Sequence, residues 1–256
     1  MRKKIILAVI LLSGILLAPN KGFTQQKKVQ NLPTYDQSPY HFGFILGGNQ
    51  MLFTVKTVDN MSDIKFDAVQ SPDFPADSSY VYELTQIGRP GFTIGILANL
   101  RLGKNTDLRL VPALSFGERA LNYTILAYKN GDKKFVDIEK NITSTMVQFP
   151  LEFKYRSHRL NNMAAYIVGG ATYTLDLASR KKAQNSSSDV IVKIHRNDVM
   201  LDIGAGFDFY TNYFKFGVQA KMGYGLTDLL IREDNIYTGV IEKLNSKFFL
   251  LSFTFE

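Results

Sequence analysis

Hydrophobic and polar residues alternate with a period of two in many segments of this chain. The clearest segment is 214–226, in which Phe, Val, Ala, Met, Tyr and Leu on one face oppose Lys, Gly and Gln on the other. A β-strand places successive side chains on opposite faces, whereas a helix repeats every 3.6 residues. The pattern predicts an all-β protein of about eight strands. The other alternating segments are 41–55, 92–102, 108–116, 147–155, 163–175, 199–209 and 249–255.

The connections between these segments alternate strictly between short and long. The short ones lie around Gly103–Asn105, Ser157–Asn161 and Thr211–Tyr213, and the long polar ones cover about 56–90, 120–145, 178–197 and 228–246. Outer-membrane barrels have short periplasmic turns and long extracellular loops. We therefore predict a transmembrane antiparallel up-and-down β-barrel of the outer-membrane type over residues 41–256. Residues 25–40 are predicted to be a periplasmic N-terminal segment.

Two prolines fall inside predicted strands. Pro112 and Pro150 have no backbone N–H and remove a hydrogen bond from the strand ladder. We expect a bulge or an unpaired stretch near each of them. The sequence does not determine the strand boundaries near these prolines.

The first residues are typical of an export signal. Basic residues at 2–4 precede the mostly apolar residues 5–18, a run shorter than a membrane-spanning helix, and Gly22 and Thr24 are small residues at a plausible cleavage site. We predict that residues 1–24 are a cleaved signal peptide for export through the Sec pathway to the outer membrane; an uncleaved anchor is the alternative. Cleavage lowers the net charge from +7 to +3, so the composition does not favour nucleic-acid binding.

The two faces of the strands favour a membrane barrel over a soluble, lipocalin-like one. The polar face is rich in glycine, which suits a narrow lumen, and the chain has 19 Phe and 13 Tyr, which suit lipid contact. A barrel of eight strands has room only for side chains. We expect ion pairs in a packed interior, with a selective pore as the alternative. The charged residues predicted to point inward are Arg101, Arg109, Glu152, Lys154, Asp202, Asp208, Lys215 and Lys221.

Few residues suggest chemistry. His41 and His158 fall on the predicted periplasmic rim, and His195 lies near Asp189 and Asp198 in a long loop. A His–Asp pair there would suit a protease or an acyltransferase, but no serine motif accompanies it, and a solvated histidine is the alternative. We therefore predict that the chain is not an enzyme and has no catalytic, cofactor-binding or metal-binding residues.

Two charged loop clusters leave alternatives open. Asp228, Glu233 and Asp234 would bind calcium weakly or form a solvated acidic patch. The basic run 180–182 (Arg180, Lys181, Lys182) would contact lipopolysaccharide phosphates or remain solvated. We expect outer-membrane lipid and lipopolysaccharide as partners, no nucleic acid and no cofactor.

Several stretches resemble the PorT/SprT family. They are NLPTYDQSPYHFGFILGGNQ (31–50), RPGFTIGILANLRLGKNTDLRLVPALSFGER (89–119), VQFPLEFKYRS (147–157), IVGGATYTLDLASRK (167–181), DIGAGFDFYTNYFKFGVQAKMGYGL (202–226) and the terminal LSFTFE. The resemblance implies a non-enzymatic outer-membrane protein required for the type IX (Por) secretion system of Bacteroidota. That system exports proteases and adhesins bearing C-terminal signals and supports gliding motility in some species. Other type IX components are then expected partners. The alternatives are a small barrel with adhesive or ligand-binding loops and, least favoured, an outer-membrane hydrolase or acyltransferase.

Overall fold

A computed structural model describes residues 29–68, 70, 71, 73, 76–178 and 192–256. The predicted signal peptide, the basic run 180–182 and Asp189 lie outside these residues. Residues Asn31–Glu256 form one compact unit. Within the described residues, no helix has the length and the apolar character needed to cross a membrane.

Strands make up most of the described chain. They are β1 (Tyr40–Thr57), β2 (Phe66–Asp67), β3 (Ser78–Gly88), β4 (Pro90–Arg101), β5 (Thr106–Leu110), β6 (Ala113–Lys129), β7 (Asp132–Arg156), β8 (Met163–Asp176), β9 (Asn197–Tyr210), β10 (Lys215–Gly225) and β11 (Ile241–Phe255). The helical pieces are short: 3-10 turns at Tyr35–Gln37 and Met61–Asp63, and a one-turn helix α1 at Ile236–Gly239.

These strands close into an antiparallel barrel. Only Arg89 separates β3 from β4, and only Val111–Pro112 separates β5 from β6, so each pair acts as one long strand. Each long strand pairs with its sequence neighbours, and β1 closes the ring by pairing with β11 on one side and β4 on the other. Apart from the two-residue β2, the described residues therefore form an eight-stranded up-and-down barrel. The predicted fold class is confirmed.

The two prolines share one interruption of the ladder. Val111 and Pro112 are outside regular strand structure, but the pairing of β4 with β5 and β6 keeps the same register on both sides. The Val111 amide donates to the Pro150 carbonyl at 3.2 Å. The nitrogen and oxygen of one residue in an antiparallel strand point to the same neighbour, so the nitrogen of Pro150 faces this interruption. The strand is interrupted at Val111–Pro112 without a bulge, and the Pro112 carbonyl still accepts from the Ile96 amide at 3.0 Å. β7 continues through Pro150, also without a bulge.

The two faces of the barrel are inverted relative to a soluble protein. Large apolar side chains point outward, and Phe42, Ile96 and Ile203 have 73%, 66% and 64% of their surface exposed. Polar side chains point inward, and Asp208 and Ser252 are fully buried. A surface of this kind is stable in lipid, where apolar side chains need no cover. The facing predicted from the alternation is therefore confirmed.

The predicted polar link at 120–145 is wrong. These residues form the far half of the β6–β7 hairpin, which turns at Asn130 and Gly131. Both turn residues have positive φ, 52° and 87°, as a two-residue type I′ turn requires. β7 has 25 residues, whereas a membrane strand needs about 9–11. More than half of this hairpin strand therefore projects beyond the bilayer.

The end of the barrel with the long connections holds a folded apolar core, which we call the cap. Predicted long link 56–90 contributes β2 and β3 to it, and link 228–246 contributes α1 and the start of β11. Both links are thus partly regular structure, which corrects the prediction of plain loops. The buried residues of the cap are Phe53, Phe66, Val81, Leu121, Tyr123, Ile125, Ile142, Val192, Ile194, Leu229, Leu230, Ile236, Tyr237, Val240, Ile241 and Leu244.

Candidate functional site: a sealed lumen and its two ends

Ion pairs fill the lumen of the barrel. Lys154 Nζ lies 2.7 Å from Asp208 Oδ2, and both side chains are almost fully buried. Lys221 Nζ lies 2.7 Å from Glu152 Oε1 and 3.6 Å from Asp202 Oδ2. A buried charge without a partner is costly, so the pairing explains why charged residues are accepted here. Six of the eight predicted inward charges therefore meet one another. Arg101 pairs instead with Asp36 and Asp107, and Arg109 bonds to the uncharged Gln219.

In the part of the chain that the structure describes, side chains fill the middle of the lumen. Arg109 is 1% exposed and donates to Gln219 Oε1 at 2.9 Å across the barrel. A cavity lined by these two residues, Glu152 and their neighbours has a volume of about 10 Å³, roughly the space of one water molecule. The arrangement is a polar plug built from side chains of the strands themselves.

Arg119 marks the boundary between the polar lumen and the apolar cap. Its guanidinium donates to Ser144 Oγ at 2.7 Å and to Ser246 Oγ at 3.1 Å, and it lies 3.3 Å from the Asp176 carboxylate. The same group stacks 4.2 Å from the centre of the Phe53 ring. Arg119 thereby binds polar side chains of the lumen and stacks on the Phe53 ring of the cap.

The N-terminal segment folds over the barrel end that carries the short turns. We call residues 31–38 the lead-in. Its Asp36 carboxylate accepts from Arg156 at 2.6 Å, from Arg101 at 3.2 Å and from the Tyr210 hydroxyl at 3.2 Å. Burial opposes the ionisation of Asp36, but these arginines outweigh that effect and hold its pKa below the ordinary value of 3.8. The lead-in is therefore anchored by charge to the inner walls of the barrel.

An aromatic residue of the lead-in reaches the C-terminal residue of the chain. The Tyr35 hydroxyl donates to Glu256 Oε2 at 3.2 Å, and Lys215 Nζ donates to the same oxygen at 2.8 Å. The Tyr35 ring stacks on His41 with ring centres 3.8 Å apart, and His41 Nε2 donates to the Tyr35 carbonyl at 2.9 Å. His41 therefore positions the lead-in rather than standing alone on the rim.

The other two histidines stay apart from catalytic partners in the described residues. His158 is exposed in the short turn after β7, and His195 is exposed, with its backbone amide bonded to the Leu229 carbonyl at 2.7 Å. Asp198 is buried in β9 and does not face solvent. Asp189 lies outside the described residues. The geometry therefore brings together no His–Asp pair at this rim among the residues that are described.

The three loop carboxylates face separate protein donors. Asp228 accepts the amides of Leu230 and Leu244 and pairs with Arg232 at 3.1 Å. Glu233 pairs with Lys193 at 2.5 Å, and Asp234 accepts from Gln70 at 2.6 Å. Across the described ranges, no group of three or more His, Cys, Asp or Glu side chains is placed to hold a metal ion.

Sequence reasoning missed the residues that seal the two ends. Asp36, Arg156 and Glu256 act at the end with the short turns, and Arg119 and Tyr237 act at the cap. A signal existed for Arg156 and Arg119, because each lies on the inward face of a predicted strand or its extension. Glu256 carries the same signal, because it extends the alternating segment 249–255 by one residue on its inward face. Asp36 carries none, since the alternation does not reach the lead-in.

Comparison with known proteins agrees with this architecture. The family described as outer membrane protein beta-barrel domain matches residues 23–230, more than half of the chain. The chain belongs to this outer-membrane β-barrel family. Its place is therefore the outer membrane, and its inverted surface meets lipid there. Among curated proteins, none matches the chain.

The chain is also similar to three solved structures at low sequence identity. OprG from Pseudomonas aeruginosa is 16% identical with a TM-score of 0.38, and the match covers 86% of this chain and 97% of OprG. Neisserial surface protein A is 8% identical with a TM-score of 0.40, covering 85% and 99%. The attachment invasion locus protein Ail of Yersinia pestis is 10% identical with a TM-score of 0.35, covering 85% and 99%.

Proposed function

We propose that this outer-membrane barrel is a non-enzymatic component required for the assembly or operation of the type IX secretion system. In gliding species, it would also support motility. The observation that carries the proposal is a lumen closed by ion pairs between two folded ends, one on each side of the membrane. Such a barrel suits docking of other proteins better than passage of solutes.

The resemblance to the PorT/SprT family adds to this proposal. The most specific stretches of that resemblance include 31–50, which contains Tyr35, Asp36 and His41 of the anchored lead-in. PALSFGER (112–119) ends at Arg119, which bridges the lumen and the cap. The stretches that carry the resemblance thus coincide with the two ends of the plug, where partners in a secretion machine would dock.

A second candidate function is adhesion or ligand binding by the extracellular end. Its support is the projecting β6–β7 hairpin, where Phe135 of β7 contacts Tyr82 of the nearby β3 edge-to-face at 5.7 Å. The two rings stay 58% and 62% exposed. Exposed aromatic pairs outside the bilayer are common at recognition surfaces. Lipopolysaccharide contacts through the basic run 180–182 belong to this candidate.

We also propose that the chain reaches the outer membrane by Sec export. The support is the arrangement of basic residues at 2–4, apolar residues 5–18 and small residues at 22 and 24. Mass spectrometry of the mature protein tests this directly. A first residue of Gln25 agrees with cleavage, and a chain retaining residues 1–24 contradicts it.

Deletion of the gene separates the two candidates. If the type IX proposal is right, proteins with C-terminal secretion signals accumulate inside the deletion strain. Complementation with Asp36→Lys, which reverses the charge that anchors the lead-in, should also impair secretion. Complementation with Phe135→Ser on the hairpin should restore it, provided that immunoblots show equal barrel levels. Normal secretion in the deletion strain contradicts the type IX role, and lost surface binding with Phe135→Ser favours adhesion.

A further inference from the structure

A cavity with a strong positive charge opens at the periplasmic rim of the barrel. It has a volume of about 460 Å³ and lies between the short turns at 103–105 and 157–159. Four cationic side chains line this rim cavity against a single carboxylate, that of Asp36. The cations are Arg101, Lys104, Arg156 and Arg159.

The cations of the rim cavity exceed the negative charge available to them. Arg101 and Arg156 share Asp36, and Asp107 lies 3.5 Å from Arg101 on its lumen side. Arg159 donates to the uncharged carbonyls of Asn31, Leu32 and Asn161. Lys104 is exposed and has no ion pair in the part of the chain that the structure describes. The cavity therefore favours an anionic group that brings its own charge.

An apolar groove runs along the membrane face beside this cavity. Its volume is about 540 Å³. Across the groove, Ile167 pairs with Ala205, Ala205 with Ala220, and Ala220 with Leu251. The two alanines form a low floor between larger outward side chains, and Ala165 extends it. We call this depression the membrane-face groove.

The rim cavity and the membrane-face groove meet at one residue. Ser157 lines both, and the neighbouring Tyr155 forms a wall of the groove with 58% of its surface exposed. Short turns lie on the periplasmic side of outer-membrane barrels, so this junction lies at the level of the inner leaflet. A charged cavity thus continues into an apolar groove that enters the bilayer.

We propose that these two features bind one anionic phospholipid of the inner leaflet. Its phosphodiester occupies the rim cavity beside Lys104, Arg101 and Arg156, and one acyl chain lies over Ala205 and Ala220. Basic side chains at a membrane surface attract anionic lipid headgroups. An acidic peptide from the periplasm would match the charge but leave the groove empty. The continuity of the two features therefore favours a lipid.

Native mass spectrometry of the whole mature barrel in mild detergent tests the proposal, with dioleoyl-phosphatidylglycerol as the probe. Lys104→Gln should weaken lipid binding about fivefold, the effect expected of one basic residue near a membrane surface. Lys133→Gln changes a lysine that is also exposed but lies near the far end of β7, and it should leave binding unchanged.

A second set of variants tests the membrane-face groove. Ala205→Leu and Ala220→Leu fill the floor with apolar atoms that lipid-facing positions accept, so both variants should fold and both should lower the occupancy of the lipid. Ala98→Leu is the matched control, because Ala98 lies outside the groove on β4, opposite Phe42.

Three results would overturn the proposal. In the first, Lys104→Gln and Lys133→Gln bind the lipid equally. In the second, inorganic phosphate binds as tightly as the lipid and the leucine variants change nothing, which would make the cavity a simple anion site. In the third, an acidic peptide binds in a Lys104-dependent manner while the lipid does not.

Discussion

Charged side chains in the lumen lie where their charges neutralise one another. Lys154 has Asp208 within 2.7 Å, while Lys215 lies 3.9 Å from Asp208 and has Glu256 at 2.8 Å. Lys154 lies on β7 and Asp208 on β9, with only β8 between them, whereas Lys215 on β10 reaches Glu256 at the end of the neighbouring β11. Each pair therefore ties two strands together. The charges thus specify how the strands associate, at a desolvation cost that only close pairing offsets.

Asp208→Asn should strongly destabilise the folded barrel. It leaves the buried Lys154 without its counter-charge, which costs on the order of 3–5 kcal/mol in the free energy of unfolding. Urea unfolding in detergent, followed by gel mobility, measures the change. Adding Lys154→Met should recover much of the loss. Glu242→Gln removes the exposed pair with Lys56 and should have little effect; equal effects of both single changes would contradict the plug.

Gly217 on β10 lies against the Thr254 side chain of the neighbouring strand β11. From the alternation alone, Gly217→Ala is expected only to add a methyl group to the lumen. The structure corrects this expectation, because a Cβ at 217 would overlap Thr254 Oγ1 and lie 3.2 Å from Asp208 Oδ1.

We predict that Gly217→Ala lowers the free energy of unfolding by about 1–3 kcal/mol, the usual cost of overpacking. A Cβ at Gly48 meets nothing within 4 Å, so Gly48→Ala should be nearly neutral. The same unfolding assay compares them, and Thr254→Ala should relieve Gly217→Ala. Equal stability of the two glycine variants would show that the lumen is looser than described.

At the scale of elements, the lead-in is the segment that pH should release. The pKa of Asp36 is held below its ordinary value of 3.8 by Arg156 and Arg101. A lowered pKa stabilises the docked state above the ordinary value, and that stabilisation is lost as the pH falls through the lowered value.

A spin label on Gln37→Cys reports this release. Its mobility should be low near neutral pH and rise as the pH falls below about 4. In Asp36→Asn, the label should already be mobile at neutral pH and respond weakly to acid. A label that stays immobile in Asp36→Asn would mean that the carboxylate does not anchor the lead-in.

The elements also show what the sequence could and could not predict. Alternation located every strand inside the bilayer, because lipid on one side and a polar lumen on the other force a strict period of two. Outside the bilayer this constraint ends. The polar composition of 120–145 therefore predicts a loop where the structure has the β6–β7 extension, although Asn130–Gly131 is a strong hairpin signal. The lead-in contacts depend on long-range pairing, such as that of Tyr35 with Glu256, which no local pattern encodes.

At the scale of the whole molecule, the barrel should be an insulator. The polar plug leaves a central cavity of about 10 Å³, too small for a hydrated ion. Purified protein in planar lipid bilayers should therefore produce no discrete conductance steps. Steady ohmic channels that scale with the amount of inserted protein would contradict a sealed lumen and revive the pore alternative.

The central claim is that the chain spans the outer membrane with its cap outside and its lead-in inside. Cysteine labelling tests it most directly, because the chain contains no native cysteine. Cysteines are introduced singly at Lys133 on the hairpin, at Lys104 in a short turn and at Ile203 on the lipid face. With a membrane-impermeant thiol reagent, we predict labelling at 133 on intact cells, labelling at 104 only after the outer membrane is opened, and none at 203 in either case. Labelling at 104 on intact cells without labelling at 133 would invert the orientation, and ready labelling at 203 would contradict the membrane barrel itself.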